Sequence, residues 1–197
     1  GQVLLVELVV GQTGAQALPP PPRPRPREPR GPVAASGNPN LARMGVRRGA
    51  LVGTYLKAGS PAIKEDGTEV RTLWGELAWQ LGGHEAYSLV AEDDKAGTNP
   101  GEAMRTLIRR YSPVLILVDE WVAYARQLLT DADLPAGSFD TQFTFAQSLT
   151  EIVRSVPGAM LVVSIPASDA GHGNEIEIGG SNGRLALERL QNVVRRA

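Results

Sequence analysis

Val114-Leu115-Ile116-Leu117-Val118-Asp119-Glu120 is the stretch that decides how this chain is read. Its first five residues are all apolar, and Val114, Ile116 and Val118 are β-branched. A strand covered on both sides is written this way, so the run predicts a central strand of a parallel sheet. Two acids follow at once. Adjacent carboxylates at the dry end of a buried strand are costly unless a cation or water compensates them.

The residues on either side keep an α/β rhythm. Upstream, Gly49 to Leu56 reads as a second buried strand, and residues 60–67, with Pro61 and Asp66-Gly67, read as a loop. Residues 68–81 predict a helix. Thr68 can cap it, and Val70, Leu73, Trp74, Leu77, Ala78 and Leu81 recur at helical spacing. Gly82-Gly83 should stop it. A short helix is expected over 85–90, then a solvated acidic loop at Glu92-Asp93-Asp94. Asn99-Pro100 opens a further helix with proline at the first position. Its apolar face is Ala103, Met104, Leu107, Ile108 and Tyr111, and Arg109-Arg110 suit the negative end of its dipole. Downstream, residues 140–156 carry the stripe Phe143, Ala146, Leu149, Ile152, Val153 and Val156, and Pro157-Gly158 ends it. Residues 159–164 predict another buried strand, 171–183 a glycine- and acid-containing loop, and 185–196 a closing helix. Strand, helix and strand in this order imply a parallel sheet flanked by helices, joined by right-handed crossovers.

The acids at 119 and 120 have the form of the Walker B segment of P-loop ATPases, which makes the expected fold P-loop NTPase-like, of the AAA type. The carboxyl end of a buried parallel strand faces the crevice where α/β sheets bind ligands. Asp119 is the candidate to hold Mg²⁺, through a coordinated water, and Glu120 the candidate to orient and polarise the water that attacks the γ-phosphate of ATP. Ser164, at the end of the next strand, is the candidate sensor of that phosphate. The plainer reading is that strands must end somewhere and acids are common where chains surface.

A complete site also needs Gly-x-x-x-x-Gly-Lys-Ser/Thr, whose amides and lysine neutralise the phosphates. The chain has three lysines, Lys57, Lys64 and Lys95, and none follows a glycine. Gly11-Gln12-Thr13-Gly14 is glycine-rich but lacks the lysine. The expected domain is therefore incomplete. Ser164, Ser168, Asp169 and His172 supply the residue types of a hydrolase triad, without a Gly-x-Ser-x-Gly elbow. Among Arg184, Arg189, Arg195 and Arg196 there is material for an arginine finger, although an exposed basic helix face explains them as well. Trp74, Trp79 and Trp121 read as packing residues.

Composition sets the outer bounds. The chain has 197 residues, 42% hydrophobic and 21% charged, with a formal net charge of -1, so bulk charge does not select a nucleic-acid partner. It has no cysteine, which excludes disulfides and thiolate metal sites, and two histidines, too few for a histidine-built one. The apolar run at residues 3–10 is interrupted by Glu7 and is far short of the roughly 20 residues a spanning helix needs. It lacks a basic leader, so no signal peptide is expected. Residues 1–45 stand apart. Their core, Pro19 to Arg30, alternates proline with arginine and cannot join a helix or a central strand. It reads as an extended, disordered linker, as a stretch translated in a foreign frame, or as a ligand for an SH3-like domain. A start at Gly1 suits a fragment.

Three segments carry a resemblance: residues 64–78 with Thr72-Leu73-Trp74-Gly75-Glu76, residues 114–125 with Asp119-Glu120-Trp121-Val122-Ala123-Tyr124, and residues 161–169. Together they resemble a family of large bacterial and archaeal ATPases catalogued as domain of unknown function 499, over roughly residues 46–196. The resemblance implies an AAA-like core, ATP and Mg²⁺, a cytoplasmic setting, and genes of DNA modification or phage defence nearby. It also implies a phosphate loop ahead of residue 46, where this chain has its proline-arginine segment. The expectation is thus a partial ATPase domain over residues 46–197, inactive alone, with a nucleic-acid or protein partner, a homo-oligomeric form and no membrane. The alternative is an inactive ATPase-like scaffold or interaction module, and a more distant one is a hydrolase using Ser164 or Ser168.

Overall fold

A computed structural model describes residues 2–8, 45–129, 134–166 and 180–196. The elements are β1 (Gln2–Leu8), β2 (Arg47–Val52), β3 (Ala62–Ile63), β4 (Glu69–Val70), α1 (Leu73–Tyr87), α2 (Ala91–Ala96), α3 (Gly101–Tyr111), β5 (Val114–Asp119), α4 (Trp121–Ala125), α5 (Phe139–Ser155), β6 (Ala159–Pro166) and α6 (Gly180–Arg195). A 3₁₀ turn, Arg126–Leu129, follows α4.

Four strands form one parallel sheet in the order β1-β6-β5-β2, and β3 and β4 make a separate antiparallel hairpin. The α/β class and the parallel sheet are as expected. Composition sets residues 1–45 apart, yet Gln2–Leu8 belongs to the sheet, paired along its length with β6. The proline-arginine run and Gly11 to Gly14 lie outside the described residues.

Pairing register sorts the strand residues onto two faces. Gly49, Leu51, Ile116, Val118, Leu161 and Val163 share the inner face and are buried. On this side α1 packs on β2, and α5 packs on β6 and β1. Gly49 is needed there, because a Cβ would overlap the Leu77 side chain. Helix α3 lies against α1 and α5, and α6 against α5 and α4. Trp74 and Trp121 both meet Phe145, with ring centroids 5.2 and 6.3 Å away. These two indoles are core residues, as their sequence context suggests. On the outer face Leu115, Met160 and Val162 are half-buried and Leu117 is 40% exposed. No helix of the described residues is long and apolar enough to cross a membrane.

Several boundaries move. The expected loop at 60–67 contains β3 and the tight turn before β4, with Lys64 N–H on Thr68 O and Thr68 N–H on Asp66 Oδ1. Helix α1 therefore starts at Leu73, and its cap is Thr72, whose hydroxyl accepts from Gly75 N–H at 3.0 Å. Thr68 is held back by the hairpin. Gly82 and Gly83 leave helical geometry, with φ -161° and 62°, but helix resumes beyond them to Tyr87. The Glu92-Asp93-Asp94 stretch is not a solvated loop. It is the first turn of α2, and Asp94 is 0% exposed. Its carboxylate accepts from Arg71 N–H, Thr72 N–H, Thr72 Oγ1 and Tyr87 OH at 2.5 to 3.2 Å. It pins the start of α1.

Candidate functional site

The site grows from two adjacent strand ends. β5 stops at Asp119, and the Val118–Val163 register brings Ser164 of β6 beside it. The Ser164 hydroxyl donates to Asp119 Oδ1. The same oxygen accepts from Glu120 N–H at 3.0 Å. Ser164 is buried, Asp119 half-buried and Glu120 exposed, so the three groups run from the sheet outward to solvent. β2 ends at the same level, since Val52 pairs with Asp119, while β1 and β6 run two residues past the Val6–Ser164 pair, to Leu8 and Pro166.

Glu120 sits in the left-handed region, at φ 54° and ψ 34°. It is the one non-glycine with positive φ among the described residues. Such a conformation costs an ordinary residue roughly 1–2 kcal/mol, and the surroundings must impose it. They do so from both sides. Gly53 N–H donates to Asp119 O at 2.8 Å, and a Cβ on Gly53 would overlap the Glu120 carbonyl. Tyr124 N–H donates to Glu120 O at 3.2 Å, and buried Trp121 anchors the turn in the core. The chain thus turns from strand to helix within one residue, and the Glu120 side chain stands in solvent beside Asp119. Gly53 belongs to no sequence motif. Its signal is a lone glycine inside an apolar strand pattern, which marks a bulge or close backbone approach.

Chemically the cluster offers one carboxylate and one hydroxyl held together, with a second carboxylate alongside. This is a hard oxygen set. Mg²⁺ takes one or two carboxylates, keeps several waters and completes its shell with phosphate oxygens, and Asp119 fits that role. Among the described residues there is no group of three or more His, Cys, Asp or Glu that could hold a metal by itself. Lys64 pairs with Glu76 at 2.5 Å, Lys95 pairs with Glu92 at 3.1 Å, and Lys57 lines a cleft of about 280 Å³ between the β2 loop and the start of α1. Arg189 pairs with Asp140 at 2.5 Å and lies over the rings of Phe139 and Phe143, which is a packing role. Ser168, Asp169 and His172 lie outside the described residues.

The profile of the DUF499 N-terminal domain matches residues 42–197. The chain belongs to this family. The DUF499 match spans β2 to α6 and contains Asp119, Glu120 and Ser164, while β1 lies ahead of it. No curated protein and no solved structure matches the chain significantly.

Proposed function

We propose that this DUF499 domain carries the metal- and water-handling half of an ATP-hydrolysing site of the P-loop type. The observation that carries the reading is the Ser164–Asp119–Glu120 cluster at the carboxyl ends of two neighbouring central strands. The sheet order adds support. β1 and β2 lie at opposite edges of the sheet with β6 and β5 between them, and ligands of open α/β sheets bind outside the carboxyl ends of the strands.

In this reading Asp119 would hold Mg²⁺, which when bound would supply positive charge to offset that of the phosphates. Ser164 fixes the position of the Asp119 carboxylate by its hydrogen bond. Glu120 stands outside that pair, free to accept a hydrogen bond from the attacking water and orient it. A cytoplasmic setting, a homo-oligomer and work on a protein or nucleic-acid partner go with the same reading. The second reading is an inactive ATPase-like scaffold. It is favoured by the lysines, none of which follows a glycine and two of which are paired with acids, Lys64 with Glu76 and Lys95 with Glu92.

Binding of Mn²⁺ in place of Mg²⁺, read by water-proton relaxation with and without ATP, separates the two. The proposal expects ATP-dependent retention of the ion and at least about tenfold weaker retention in Asp119→Asn, a loss of about 1.4 kcal/mol. Equal retention in the parent and the variant would remove Asp119 from the site, and no retention by the folded parent would leave the scaffold.

A further inference from the structure

Strand β2 is an edge of the sheet among the described residues. Its inward peptide groups serve β5, with Arg47 N–H on Pro113 O at 2.9 Å and Gly53 N–H on Asp119 O at 2.8 Å marking the two ends. Peptide groups alternate along a strand, so those of Arg48, Ala50 and Val52 face outward. Val52 O is taken by Tyr55 N–H at 2.9 Å in the following turn. At Ala50, in mid-strand, the partner is a side chain. Ala50 N–H donates to Gln80 Oε1 at 2.6 Å, and Gln80 Nε2 donates back to Ala50 O at 3.0 Å.

A primary amide that both accepts from and donates to one residue makes the two bonds a neighbouring strand would make. Gln80 itself is exposed, on the outer flank of α1. Its amide is aimed by Glu76 Oε1 at 2.9 Å, and Glu76 is held by Lys64 through an ion pair whose side chains are only 15% (Lys64) and 11% (Glu76) exposed. A side-chain relay therefore runs from the β3–β4 hairpin through α1 to the sheet edge.

We infer that the outward edge of β2 is a strand-pairing surface for a second copy of this chain, and that the Gln80 amide holds it closed. An open edge with unpaired donors and acceptors is a template for another strand. The second copy's β2 fits it. Antiparallel pairing on a two-fold axis at Ala50 would let each Ala50 donate to and accept from the other. It would set Arg48 opposite Val52 rather than opposite Arg48, so no like charges would face each other. The exposed Ala50 side chain adds no bulk at the axis.

Sedimentation equilibrium over a concentration series tests this with Gln80→Ala and with Gln80→Met, which keeps a side chain of similar length without the amide. Either variant should self-associate at least about tenfold more tightly than the parent, and adding Ala50→Pro should reverse the gain. Proline removes only the outward N–H, which the sheet itself does not use, and edge strands accept it there. No added association in folded variants, or association that Ala50→Pro leaves intact, would overturn the inference. Loss of the fold in both variants would do so too, because the amide would then serve α1 rather than guard the edge.

Discussion

Gly53 and Glu120 show most sharply how local geometry makes the site. The left-handed Glu120 and the missing Cβ at Gly53 are two halves of one contact. Replacing Gly53 by Ala forces that contact apart and should destabilise the fold by about 1–3 kcal/mol in urea unfolding. Replacing Glu120 by Gly removes the conformational strain and should raise the urea midpoint, equivalent to about 1 kcal/mol. A residue that the fold would rather lose is held there for something other than stability, which is the pattern of functional sites. If Glu120→Gly lowers stability instead, Glu120 is a structural residue and the site loses its water-orienting member. The acids were legible in the sequence because an apolar strand running into Asp-Glu is a local pattern. Gly53 was not, because its contact joins segments separated by the whole of α1 to β5.

At the scale of elements, helix α1 teaches the same lesson from the other side. Thr68 and Thr72 are equally good caps by composition. The choice between them is made by the β3–β4 hairpin and by Asp94, 22 residues beyond Thr72 in the chain. Neither lies in the window from which a helix start is read. Asp94→Asn should cost about 3 kcal/mol, because an amide nitrogen would then face buried N–H donors. The same cluster sets an alkaline limit. Burial and the Asp94 carboxylate hold the Tyr87 phenol above its usual range, and burial does the same to Tyr124. Unfolded, both ionise near their ordinary value of 10.0, while the fold keeps them neutral. Their contribution is therefore complete below that pH and is lost as pH rises past it. Unfolding free energy measured from pH 8 to 11 should fall above about 10 in the parent and fall less in Tyr87→Phe.

For the molecule as a whole, the parallel sheet with flanking helices was readable from alternating strand and helix periods. The apolar run ahead of the prolines gave no such warning, because its partner β6 is more than 150 residues away in sequence. The unequal covering of the two faces was also hidden, since residues 114–118 are apolar without a break. Two neighbours test which face is the core. Ile116 is 0% exposed, and Ile116→Ala should cost about 2–5 kcal/mol. The 40% exposed Leu117 faces the other way, and Leu117→Ala should cost well under half as much.

The central claim is that the strand ends hold a metal-dependent half-site without a phosphate-binding lysine. Calorimetric titration of ATP into the folded chain, with and without Mg²⁺, tests it most directly, on the parent and on Glu120→Gln and Asp119→Ala. The account expects weak binding that requires Mg²⁺, survives Glu120→Gln, is lost in Asp119→Ala, and has a dissociation constant well above about 1 μM. Tight binding without Mg²⁺, or binding indifferent to Asp119, would contradict it, and so would the absence of any binding to the folded parent.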